Sequence, residues 1–153
     1  FSVDGDLVDI AKTYSYKGMM FSGVPNMLQT FGYINASWTL RADLNSEYFC
    51  RLVQYMVEQG KAQVTPTLRA EDEGMITRPW IDDFSSGYMQ RSMHLFPKQG
   101  EGSWRNTQDF TADKKMVRRA PIEDSALVFT NPEVKETGLP GLGLADNAAR
   151  NAA

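Results

Sequence analysis

The 153 residues carry 16 Lys and Arg against 19 Asp and Glu, a formal net charge of −3, and 42% hydrophobic side chains. That balance fits one globular domain with a buried core and argues against a nucleic-acid surface. The single cysteine, Cys50, excludes an internal disulfide and makes a reducing, cytoplasmic setting the expectation, and no apolar run reaches the roughly 20 residues of a membrane span.

In chain order, residues 1–10 read as strand, turn, strand, with Asp4-Gly5-Asp6 at the bend. A chain that opens inside a hairpin, with neither an initiator Met nor a signal-peptide pattern, is expected to have lost a preceding segment. A short buried strand is predicted over 19–22. Gly23-Val24-Pro25-Asn26 then breaks it, because Pro25 has no N–H to give to a ladder. The spacing predicts a long helix over 37–59, closed by Gly60 as a left-handed cap. Glu47, Arg51, Gln54 and Glu58 form one polar stripe on it, and the apolar remainder of its second half predicts a helix covered on most sides.

Beyond that helix the pattern predicts an edge strand over 63–68, demoted by Pro66, and an acidic loop over 70–74. Short helices are predicted over 86–95 and 107–119, ended by Pro97 and Pro121, and a last strand over 126–130. Residues 132–153, rich in Gly, Ala and Asn and without periodicity, read as a disordered tail. The fold class is therefore α/β, with a hairpin, a partial sheet, one long buried helix and two shorter ones.

Chemistry points first to the entrance of the long helix. Asn35, Ser37 and Thr39 are good N-cap residues, but Trp38, Leu40 and Ala42 stand where a capping box needs Glu or Gln. The first-turn N–H groups are thus free to face a ligand carbonyl or anion, or simply to bind water behind an ordinary Ser or Asn cap. Tyr88, Met89, Ser92, Met93, Leu95 and Phe96 form an apolar set whose usual meaning is core packing. His94 is expected to be a partly buried helix residue. Glu71, Asp72, Glu73, Asp82 and Asp83 are expected to be solvated, and no Cys/His cluster suggests a metal. Lys114, Lys115, Arg118 and Arg119, followed by Glu123 and Asp124, read as a solvated helix end. No Gly-x-Gly-x-x-Gly fingerprint joins a strand to a helix, and the glycines from Gly138 to Gly143 have the wrong spacing.

The run from Gly18 to Met56, with Gly23-Val24-Pro25-Asn26, Gly32-Tyr33, Asn35-Ala36-Ser37-Trp38-Thr39 and Asp43-Leu44, resembles the last flavin-contacting segment of class B flavoprotein monooxygenases. This is the Baeyer–Villiger and flavin-containing monooxygenase group, and the likeness is greatest to the bacterial branch that includes ethionamide-activating enzymes. It continues more loosely through Gly87-Tyr88, Pro97-Lys98-Gln99-Gly100 and Trp104-Arg105, covering about residues 1–130. The resemblance implies a fragment of a two-dinucleotide-binding-domain flavoprotein. In it, 1–60 would end the FAD-binding domain, 61–130 would form a substrate-side segment, and 131–153 would be tail.

It further implies FAD and NADP as cofactors, a small-molecule substrate and O₂ as partners, and the remainder of the parent chain as a structural partner. Such enzymes oxygenate a ketone, sulfide or amine through a flavin C4a-(hydro)peroxide. Asn35, Ala36, Ser37, Trp38 and Thr39 would face the flavin's pyrimidine edge, and Tyr88, Met89 and Ser92 would wall the substrate pocket. The family's catalytic arginine and His-containing signature would lie upstream, so no catalytic residue is assigned here. Lys98 and Arg105 read more simply as loop cations than as NADPH ligands. Two departures stand out: Val24 follows Gly23 where many such flavoproteins have a ribityl-binding Asp, and Ile34 replaces a small hydroxyl residue. A stand-alone, non-catalytic α/β binding or interaction module remains the alternative.

Overall fold

In the computed structural model, residues 2–82 and 86–133 are described. Strands β1 (Ser2–Val3) and β2 (Asp6–Leu7) pair antiparallel across Asp4 and Gly5, both left-handed, as a two-residue hairpin turn requires. Strands β3 (Ser15–Tyr16) and β4 (Met20–Phe21) form a second antiparallel pair, with Lys17 and Gly18 left-handed at the bend. Here glycine is obligatory. A Cβ on Gly18 would stand 2.6 Å from the Arg41 guanidinium and 2.8 Å from the Asn106 carboxamide oxygen.

Helix α1 (Trp38–Glu58) follows, ending at Gln59 with Gly60 left-handed just beyond, as the sequence predicts. Strand β5 (Gln63–Pro66) then pairs with β6 (Leu127–Thr130), antiparallel, over four residues. Between them lie α2 (Gly87–Ser92) and α3 (Phe110–Arg119), the latter capped by Asp109, whose carboxylate accepts from Thr111 and Ala112 N–H. The described strands thus make three separate two-stranded antiparallel ladders. The α/β class expected from the pattern holds, with the partial sheet taking the form of these small ladders.

The core joins Tyr16, Met19 and Met20 to Leu44, Tyr48 and Leu52 of α1, and to Trp104, Val117, Ile122 and Leu127. Gly23-Val24-Pro25-Asn26 does more than end a strand. Gly23 N–H donates to Pro66 C=O, and Asn26 exchanges hydrogen bonds with Val64 through both backbone and side chain, so the turn lies along the free edge of β5. Val24, found where an Asp is common in the resembling proteins, is buried.

Several expectations are corrected. α1 is not covered on most sides: it buries Arg41, Leu44, Asn45, Tyr48 and Leu52, while Phe49 is 51% and Val57 74% exposed. Its polar stripe does not simply meet water either. Glu47 pairs with Arg118, and the Arg51 guanidinium donates to the carbonyls of Val117 and Ala120, so part of the stripe docks α3. Asp72 is not a solvated loop acid. It lies at the end of a 3₁₀ turn, Ala70–Asp72, is mostly buried, and accepts the Arg69 guanidinium and backbone N–H. Asp124 is likewise partly buried rather than solvated.

His94 is exposed, in the 3₁₀ turn Met93–Leu95, and of the apolar set around it Tyr88 and Leu95 face water. Asp83 and the tail from residue 134 onward, Gly138–Gly143 included, lie outside the described residues. Asn131, the first residue of the expected tail, exchanges hydrogen bonds with Ala62 N–H and Gly60 C=O at 2.8 Å each. Among the described residues no helix is long and apolar enough to cross a membrane.

Candidate functional site

The turn predicted to meet a ligand, Asn35–Thr39 in sequence, is exposed at every residue. Ser37 is the N-cap, with extended φ and ψ, and its side chain caps no N–H; its hydroxyl instead lies 2.8 Å from that of Thr39. Only Leu40 N–H turns back, to Ser37 C=O at 3.2 Å. The absent capping box therefore leaves an open first turn, with the positive end of a 21-residue helix behind it. The side chains of Ser37 and Thr39 satisfy each other rather than competing for the backbone donors.

Two features fix the approach to that turn. Trp38 folds back over the preceding chain, its ring 5.7 Å from that of Phe31, and a Cβ on Gly32 would lie 2.0 Å from the indole. Gly32 is thus a packing requirement. Phe31 in turn meets Trp80 and Phe96 edge to face, at 6.2 and 6.0 Å between ring centroids. Next in the chain, Tyr33 is buried and Ile34 exposed, and each makes a bond that ties the loop down. The Tyr33 hydroxyl donates to Asp113 Oδ2 at 2.8 Å, and Ile34 N–H donates to the Gln108 side chain at 3.0 Å.

Asp113 is the hub of this latch. Its Oδ2 also takes Arg41 Nη1 at 2.5 Å, and its Oδ1 takes the Thr107 hydroxyl at 2.7 Å. Arg41 and Asp113 side chains are 1% and 3% exposed, so the ion pair is fully internal. Arg41 Nη2 continues to the carbonyl of Lys17 in the β3–β4 bend, and its guanidinium lies 5.7 Å from the Tyr33 ring centre. Burial pushes the Tyr33 phenol up to about 12, with Asp113 adding to the rise and Arg41 opposing it, so it stays a donor at neutral pH. One carboxylate from α3 thereby joins the β3–β4 bend, α1 and the loop carrying Asn35–Thr39. The sequence offered one signal for this: Arg41 falls in the same helical sector as Leu44, Tyr48 and Leu52, and a cation placed there needs a partner.

The other predicted set sits on one short helix. All three lie on or at the end of α2, Met89 buried, Tyr88 exposed and Ser92 half-buried. A neighbouring hollow is lined by Ile10, Phe21, Met27, Gln29, Leu95 and Phe96, which connects this segment to the end of β4. Lys98 is exposed in a second hollow beside His94.

Comparison with known proteins shows what this chain is similar to. The chain is 46% identical over 129 residues to the FAD-containing monooxygenase EthA of Mycobacterium tuberculosis. It is 38% identical over 129 residues to the probable FAD-binding monooxygenase AlmA of Acinetobacter baylyi. It is 34% identical over 128 residues to the putative FAD-containing monooxygenase MymA of Mycobacterium tuberculosis. This chain is a homologue of FAD-containing monooxygenases. The matches take in 83–84% of the chain but only 26% of each relative, so it spans about a quarter of their length. No protein-family model matches the chain, and no solved structure does.

Proposed function

We propose that the chain is the C-terminal part of an FAD-containing, NADPH-dependent monooxygenase, and that Asn35, Ala36, Ser37, Trp38 and Thr39 face the flavin. The observation that carries this reading is the exposed α1 entrance whose N-cap side chain leaves the backbone donors free, in a segment homologous to FAD-containing monooxygenases. When bound, FAD supplies the chemistry: with electrons from NADPH, one atom of O₂ passes to a ketone, sulfide or amine and the other leaves as water. The residues here bind and orient. The first-turn N–H groups favour negative charge on the pyrimidine edge, Gly32 and Trp38 set the angle of entry, and Tyr33, Ile34, Asp113 and Arg41 hold the loop still. Residues 1–60 would close the FAD-binding domain, and the 61–130 segment, through Tyr88, Met89 and Ser92, would border the substrate.

The test is the midpoint potential and FAD retention of the longer protein carrying Thr39→Pro, which deletes a first-turn N–H. A helix N-terminus stabilises a nearby anion by about 0.3–1 kcal/mol, up to about 2 when partly buried. For a two-electron couple about 1.4 kcal/mol corresponds to about 30 mV, so a fall of roughly 10–40 mV with weaker FAD retention is expected. An unchanged potential and unchanged retention would remove this turn from the flavin site.

A further inference from the structure

Helix α1 has three lengthwise sectors, and the described residues cover the third only in part. One buries Arg41, Leu44, Asn45, Tyr48 and Leu52 in the core. A second carries Asp43, Glu47, Arg51 and Glu58, and meets α3 and water. The third runs through Trp38, Ala42, Ser46, Phe49, Val53 and Val57, at helical spacings of 4, 4, 3, 4 and 4, and holds no charge from one end of the helix to the other. Its one hydroxyl is already satisfied, since Ser46 donates to Ala42 C=O at 2.9 Å. Yet Trp38 is 54%, Phe49 51%, Val53 40% and Val57 74% exposed. Alongside lies an open apolar hollow of about 230 Å³, walled by Met20, Met27, Leu28, Leu52, Val53 and Val64, so the stripe continues as a groove onto β4 and β5.

An uncharged stripe the length of a six-turn helix is a surface built to be covered. In proteins that mix helices and strands, the cover is a layer of several strands. Among the described residues only two-stranded ladders exist, too small to serve. We propose that the stripe and groove form an internal interface, covered by an apolar layer from the part of the longer protein that lies outside this chain. The occupant follows from the comparison: the matched relatives are about four times as long as the matched segment, so most of such a protein is available to pack here. The inference rests on the reading that the chain is part of a longer monooxygenase, and it names the surface through which the parts join.

Side-chain footprinting of the longer protein tests it, with internal references in the same molecule. Leu44 and Tyr48 report full burial, and Leu7 and Ile76 report exposure. Phe49 and Val53 are expected to lose their labelling several-fold, down to the level of Tyr48, in protein that light scattering shows to be monomeric. Labelling at the level of Ile76 would overturn the proposal. Protection that exists only in a dimer and disappears on dilution would also overturn it, in favour of a second copy on this face. Flavin absorbance, read separately, keeps the two readings apart. Flavin-loaded protein with an exposed stripe defeats this proposal alone, and flavin-free protein with a covered stripe defeats only the cofactor assignment.

Discussion

Replacing Asp113 by Ala tests the latch without any cofactor. Three donors converge on that carboxylate: Arg41, Tyr33 and Thr107, at 2.5, 2.8 and 2.7 Å. Removing it leaves the Arg41 guanidinium inside the core, 1% exposed, with the Lys17 carbonyl and the Tyr33 ring in place of a counter-charge. Breaking a buried pair in this way costs about 3–5 kcal/mol, a large share of a typical domain stability of about 5–15 kcal/mol. At about 2–4 °C per kcal/mol for a domain of this size, the thermal midpoint should fall by roughly 6–20 °C.

Tyr33→Phe withdraws one donor and leaves the ion pair whole, so its cost should be about 1–2 kcal/mol. Glu47→Ala is the control. It removes an equally close ion pair, bidentate to Arg118, that joins α1 to α3 at the surface with both side chains more than a third exposed, and it should barely move the midpoint. Calorimetry or circular dichroism on the three variants gives the ranking. Asp113→Ala no worse than Glu47→Ala would refute the claim that burial, rather than contact distance, sets the value of these pairs.

Three further outcomes are expected. Burial would raise the Asp124 carboxyl, but Ala126 N–H, Lys17 and Ser103 overcome it and bring it down to about 2. A lowered carboxyl stabilises above its unfolded value near 4 and loses that contribution as pH falls through 2, so Asp124→Asn should cost about 2 kcal/mol at pH 7 and almost nothing at pH 2; a difference that stays flat across that window would count against it. Gly32→Ala should push the Trp38 indole off Phe31, seen as a red-shifted tryptophan emission because Trp80 and Trp104 stay buried, and an unchanged spectrum would mean the ring does not sit there. The 153-residue chain, having no glycine fingerprint for a pyrophosphate, should elute from gel filtration without FAD; stoichiometric yellow protein would contradict this.

What could be read from the sequence was whatever depends on neighbours in the chain. Helix α1 and its Gly60 cap, the Asp4-Gly5 bend, the pairing-competent runs that became β5 and β6, and the missing capping box all follow from residues a few positions apart. The uncapped entrance was therefore visible before the fold was known. Exposure inferred from charge held for Glu71, Glu73, Asp82 and the cations that end α3, and failed at two acids. Asp72 and Asp124 looked solvated because acids usually are, yet Arg69 comes from the adjoining turn and Lys17 from more than a hundred residues away.

The reverse error was made on α1. Phe49, Val53 and Val57 looked buried because such residues usually are, and their exposure here is information that the pattern alone could not hold. The two errors have one cause: burial is a property of what lies opposite, and a local pattern says only that something must. For Arg41 the opposite group was Asp113, 72 positions away on α3. For the α1 stripe the described residues cover only part, Phe31 beside Trp38 and Met27 and Leu28 beside Val53, which is why it points outside the chain while the latch points inward. The same helix thus orients its N-terminus through contacts made within this segment, and offers its flank to contacts the segment does not contain. A site whose geometry is set on one side of a helix and whose surroundings are completed on the other would be preformed here but finished only in the longer protein.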